Sequence, residues 1–99
     1  MNNLQKTKRI RLHGRALAAL NAEVHDRDND CCIFCGEGVD PGEKFHHYPQ
    51  GADKQDRKEC AVTACGKCHD LAHFSELVQE FKDKCESYLR KLYPEFWEG

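Results

Sequence analysis

The chain is 99 residues long and 39% hydrophobic, which suits one small domain with a thin core, so a staple drawn from its seven cysteines and six histidines is expected. Its net charge of −2 hides a split: Lys6, Lys8, Arg9, Arg11 and Arg15 give residues 1–22 a charge of +5, while the remainder carries −7. That distribution rules out a uniformly basic nucleic-acid binder, and the apolar runs are far too short for a membrane helix.

Residues 1–13 read as a basic, polar arm and residues 14–99 as a single domain. No apolar stretch with a small-residue cleavage site follows the basic start, so no signal peptide is expected. From Gly14 to His25, the positions Ala16, Leu17, Leu20 and Val24 form the stripe of an amphipathic helix, which the run RDND at 27–30 breaks. Cys32 to Cys35, followed by Gly36 and Gly38, has the composition of a tight turn. Lys44 to Tyr48 reads as a short strand closed by Pro49, Gln50 to Glu59 as a polar loop, and Ala61 to Ala64 as a second short strand. Gly66 leads into a helix over Lys67 to Phe74. A last helix is expected from Ser75, a good N-cap, to Leu92, with Leu77, Val78, Phe81, Cys85, Tyr88, Leu89 and Leu92 as its apolar stripe and Pro94 closing it. Phe96 and Trp97 then fold back onto the body or onto a partner chain.

Cys32-x2-Cys35 and Cys65-x2-Cys68 are two thiolate pairs at the spacing of a tetrahedral Zn²⁺, because two intervening residues let one turn aim both sulfurs at an ion about 2.3 Å away. An odd cysteine count without a secretion signal favours a reducing, cytoplasmic compartment, where thiols bind metal rather than pair. The second pair opens a helix, whose N-terminal dipole favours the thiolate. Cys31 can stand in for Cys32, although the spacing to Cys35 favours Cys32, and Cys85 belongs to the apolar stripe of the last helix. The 29 residues between the pairs exceed the roughly 15–20 of a simple zinc ribbon. The insertion holds His46 and His47, and His69 and His73 follow the second pair.

Adjacent strand residues face opposite ways, so His46 and His47 need different roles. His69 and His73, four apart on a helix, can grip one ion. Joined by His46 they make a three-histidine set with open positions, the arrangement a catalytic metal needs. His47 then stands beside it as a neutral imidazole able to take a proton from water. The competing readings are polar surface histidines or a closed second zinc.

The segments RDNDCCIFCG, FHHYPQGAD and ECAVTACGKCHDLAH, taken together, resemble the HNH (ββα-metal) endonuclease family in its zinc-stapled form, over about residues 26–74. The resemblance implies a small α+β fold: a ββα-metal finger over about residues 44–74, stapled by a structural Zn²⁺ on Cys32, Cys35, Cys65 and Cys68, and flanked by N- and C-terminal helices. It also implies that His46, His69 and His73 hold a catalytic divalent ion and that His47 is the general base. The family's central asparagine is replaced by Cys60, nine residues before His69. Three roles stay open for that thiol: a donor that orients His47, a fourth ligand that closes the site, or a small buried residue.

The activity so implied is hydrolysis of DNA phosphodiesters, leaving 5′-phosphate and 3′-hydroxyl ends. An imidazole set suits Zn²⁺, Ni²⁺, Co²⁺ or Mn²⁺ better than Mg²⁺. Lys6, Lys8, Arg9, Arg11 and Arg15, with Lys54, Arg57 and Lys58 of the loop, are the expected contacts to DNA phosphates, offsetting the acidic body. The expectation is a cytoplasmic, bacterial or phage-encoded enzyme, acting as a monomer that nicks or a homodimer that breaks both strands. The alternatives are a non-catalytic zinc module that binds nucleic acid or protein through a degenerate HNH site, and a structural two-zinc protein.

Overall fold

Helix α1 spans Gly14–Arg27 in a computed structural model that describes residues 10–51 and 54–98. Lys6, Lys8 and Arg9 lie outside the described residues. The buried strip of α1 runs along Leu20 and Val24, with Leu17 and the preceding Leu12 half-buried against it. Ala16, expected on that strip, lies on its margin and faces solvent. The helix stops where Asn29 and Asp30 enter the left-handed region, with φ of 57° and 53°, a conformation that short Asx side chains tolerate.

Two polar residues of α1 seat the segment leading to the first strand. Asn21 Nδ2 donates to Glu43 O (3.0 Å), Asn21 Oδ1 accepts from Phe45 N (2.8 Å), and His25 Nε2 donates to Glu43 O (2.7 Å). Strands β1 (His46–His47) and β2 (Ala61–Val62) then pair antiparallel, His46 opposite Val62 and His47 opposite Ala61. Both are shorter than the expected Lys44–Tyr48 and Ala61–Ala64. The ladder ends at Thr63 because its amide donates to Asp28 Oδ2 (2.9 Å) and its carbonyl accepts from Ile33 N (3.0 Å). The end of the expected loop winds into a short 3₁₀ turn, Lys58–Cys60.

Three helices follow: α2 (Gly66–Phe74), α3 (Val78–Leu92) and α4 (Pro94–Glu98). Ser75, expected to start α3, instead closes α2: its hydroxyl donates to Leu71 O (2.6 Å) and accepts from Leu77 N (3.0 Å). This satisfies one of the orphan carbonyls at the end of α2 and delays α3 to Val78. Leu77 and Leu92, expected on the apolar stripe, are 39% and 41% exposed: Leu77 precedes α3 and Leu92 ends it, while Phe81, Cys85 and Leu89 carry its packing on the body. Short helix α4 returns the tail to the body of its own chain, where Trp97 Nε1 donates to Glu59 O (3.1 Å) and the indole lies 5.8 Å from the Tyr48 ring.

Strand alternation divides the core. Ala61 packs with Leu20, Val24 and Phe45 on the α1 side, while Val62 packs with Cys85 and Leu89 on the α3 side. A third small cluster, Cys32, Val39, Ala64 and Cys68, is built on cysteines rather than large aliphatics. Among the described residues no helix is long and apolar enough to cross a membrane.

Candidate metal centres

Cys32 and Cys35 sit in a tight knuckle. Cys32 N donates to Glu37 O (2.8 Å), Gly36 N donates back to Cys32 O (2.9 Å), and Gly36 takes a φ of +82°, where a side chain is costly. Cys65 is the N-cap of α2, its sulfur accepting from Cys68 N (3.4 Å). The fold brings all four sulfurs within 4.8 Å of one another, with Cys35 and Cys65 Sγ 3.7 Å apart and no disulfide among them. Thiolates about 2.3 Å from a tetrahedral ion stand roughly 3.8 Å apart, so the cluster has the size of a zinc site. Burial opposes ionisation of Cys32, but backbone hydrogen bonds at Cys65, Cys35 and Phe34 bring it down to about 7. Burial and the neighbouring thiols push Cys68 up, a conflict that a dication held by the four sulfurs would remove. Cys31 stays outside the cluster, bridged to Gly38, and Cys85 lies on the buried face of α3, where burial pushes its thiol up to about 12.

The second constellation rests on α2 and β1. His69 and His73 occupy successive turns with ring centroids 4.6 Å apart, and His46 reaches them from the strand at 5.2 and 5.3 Å. One ring nitrogen of each lies within 4.8 Å of the others. His46 is 2% exposed, and its Nδ1 is buried without a hydrogen-bond partner. Its Nε2 lies 3.4 Å from the side-chain amide of Gln50. Burial, followed by the charges of His69 and His73, lowers His46 to about 3, so it offers a lone pair at neutral pH. Burial and His69 lower His73 as well. Cys60 is fully buried, its thiol pushed up to about 12 by burial, and its sulfur is not among this set. Of the three roles open for Cys60, its surroundings match those of a small buried residue, and its sulfur lies apart from the three histidines.

His47, pointing the other way from β1, stacks edge-on with Phe45 (5.0 Å) and bonds through Nε2 to Asp56 Oδ1 (2.8 Å). Asp56 was not among the residues singled out from the sequence. It is 7% exposed, and its Oδ2 accepts from Leu12 N (2.8 Å). Burial works against its charge, but His47 and the Leu12 amide hold the carboxyl below its usual range. For His47, burial lowers the basicity, Asp56 works against that, and Lys44 and Lys54 add to it. Among the described residues the side chain hydrogen-bonded to His47 is Asp56, and no hydrogen bond links His47 to Cys60.

No protein-family model, curated protein or solved structure matches this chain. The resemblance to the HNH family therefore rests on the residues themselves.

A cleft of about 340 Å³ joins the two sets of histidines, with His47 on one wall and His69 and His73 on another. Lys44 and Lys54 line it too. Lys44 escaped the sequence reading, although its place two residues before His46 was the available signal. Arg11 reaches the adjoining depression beside Lys44, His47 and Lys54, and Arg15 is exposed on the first turn of α1. Arg57 and Lys58 are not brought to the cleft. Arg57 lies over Phe96 of the C-terminal helix (5.1 Å), and Lys58 makes an exposed pair with Glu23 (3.7 Å) beside Tyr93.

Proposed function

We propose that the chain is a metal-dependent DNA endonuclease of the HNH type, with β1, β2 and α2 as its ββα finger. The observation that carries this reading is the shared cleft: a neutral imidazole, His47, faces the same opening as the ligand candidates His69 and His73. In this reading His46, His69 and His73 would hold a divalent ion, which would supply Lewis-acid stabilisation of charge on the phosphodiester. Lys44 and Lys54 bind the flanking phosphate oxygens, and Arg11 and Arg15 continue the track along the backbone. His47 takes the proton of the attacking water, because burial keeps it unprotonated at neutral pH. The four-cysteine zinc has no part in the chemistry and holds α2 in place.

Conversion of supercoiled plasmid to nicked or linear forms with Mn²⁺, Ni²⁺, Zn²⁺, Co²⁺ or Mg²⁺, against a chelator control, tests the activity. Removing a general base costs roughly 10²–10⁴-fold, so His47→Ala should bind DNA and the second metal normally yet cut that much more slowly. His69→Ala should lose the second metal and keep the zinc. Equal metal loss in the two variants would mean the roles are misassigned. A wild type inert with every metal would leave the non-catalytic zinc module as the better reading.

A further inference from the structure

Asp56 touches three groups at once. Its Oδ1 meets His47 Nε2 (2.8 Å), its Oδ2 meets Leu12 N (2.8 Å), and its own amide donates to Ile10 O (2.9 Å). An ionised carboxylate only accepts hydrogen bonds, so both neighbours must donate, and neutral His47 must carry its proton on Nε2. Nδ1 is then left with a lone pair, since among the described residues the hydrogen bond of the His47 ring runs through Nε2. We propose that Asp56 is a positioning residue that locks His47 in the Nε2–H tautomer, and that the backbone of residues 10–12 locks Asp56 in turn. The seat of the N-terminal segment thereby sets the aim of the base. The proposal rests on the nuclease reading for what Nδ1 does, but not for the tautomer itself.

The carboxylate's two acceptors explain why an amide cannot replace it. The Leu12 N–H is a fixed donor, so in Asp56→Asn the amide oxygen must turn to Leu12 and the NH₂ to His47. His47 Nε2 must then accept, which moves the ring proton to Nδ1 and removes the lone pair a base needs. The test is ¹⁵N NMR of histidine-labelled, zinc-loaded full chain, beside single-turnover cleavage of saturating plasmid. The wild type should show His47 as Nε2–H and Asp56→Asn as Nδ1–H, with cleavage down roughly 10²–10⁴-fold and DNA affinity unchanged. A folded Asp56→Asn protein that keeps the Nε2–H tautomer would overturn the proposal, as would a wild type in the Nδ1–H form. If the tautomer exchanges as stated but neither protein cuts DNA, the positioning role stands and the nuclease reading falls.

Should Asp56→Asn not fold, Leu12→Pro set against Leu12→Ala decides the matter. Both lose the leucine's packing, but only proline lacks the donor amide. A mixture of His47 tautomers in the proline variant alone supports the lock. Identical His47 spectra in the two variants overturn it.

Discussion

Cys60 occupies the place where the HNH pattern has asparagine, yet its surroundings are those of an apolar side chain: no exposure, and a thiol held neutral by burial. An asparagine there buries an amide with up to four hydrogen-bonding positions to satisfy. Leaving such a group unpaired costs about 1–3 kcal/mol, so Cys60→Asn should lower the melting temperature by at least several degrees in zinc-saturated buffer, while Cys60→Ala should lose less. Equal melting temperatures for Cys60→Asn and wild type would mean the amide finds partners, reopening an orienting role at this position. The candidate ligands other than His46 were legible from spacing alone, because Cys-x2-Cys and His-x3-His describe geometry inside one turn or one helix. Asp56 was not, since its meaning depends on Leu12, 44 residues away, and on His47 across an irregular loop. No local period marks such a residue.

Two short elements, the knuckle at Cys32–Cys35 and the first turn of α2, face each other through four sulfurs, and neither has enough apolar surface to hold its shape alone. Zinc binding in a domain this small is largely folding free energy. Cys65→Ala should therefore lose zinc and cooperative unfolding together, and a variant that melts cooperatively with no zinc by elemental analysis would contradict this. A milder probe is Gly36→Ala. An added methyl would meet nothing within 4 Å, so the only penalty is the left-handed backbone, about 1–2 kcal/mol. That variant should keep its zinc and melt somewhat lower; loss of zinc would show that the knuckle tolerates no strain. The existence of α1, both strands, α2 and α3 was readable from turn chemistry and apolar periods, but α4 and the 3₁₀ turn at Lys58–Cys60 were not, and junctions were less so. Ser75 lies between two helices and its hydroxyl can serve either, and only the packing of α3 decides that it closes α2.

At the scale of the whole molecule, one ion pair ties the parts together. Asp28, whose side chain is fully buried, accepts from Arg27 Nε (2.8 Å) and Nη2 (2.9 Å), from the Tyr88 hydroxyl of α3, and from Thr63 N beyond β2. Arg27 continues to Lys58 O (2.8 Å) and Ala61 O (2.7 Å). The end of α1, the strand ribbon and α3 thus meet on two side chains, over three small cores that do not merge into one. Breaking a buried pair from one side costs about 3–5 kcal/mol because the other charge stays behind. Asp28→Asn should lose stability on that scale, whereas Glu23→Gln, which removes the exposed pair with Lys58, should change it by well under about 1 kcal/mol. The pH dependence gives a second check. Burial works against the Asp28 charge, but Arg27, Tyr88 and the Thr63 amide outweigh it and hold the carboxyl below its usual 3.8. A carboxyl with a depressed folded value contributes fully above its unfolded value, and that contribution is lost only as pH falls through the lower folded one. The difference between wild type and Asp28→Asn, measured by urea unfolding in excess zinc, should therefore be flat from about pH 8 to about pH 5. A difference that shrinks within that window would assign the lost stability to a histidine rather than to Asp28.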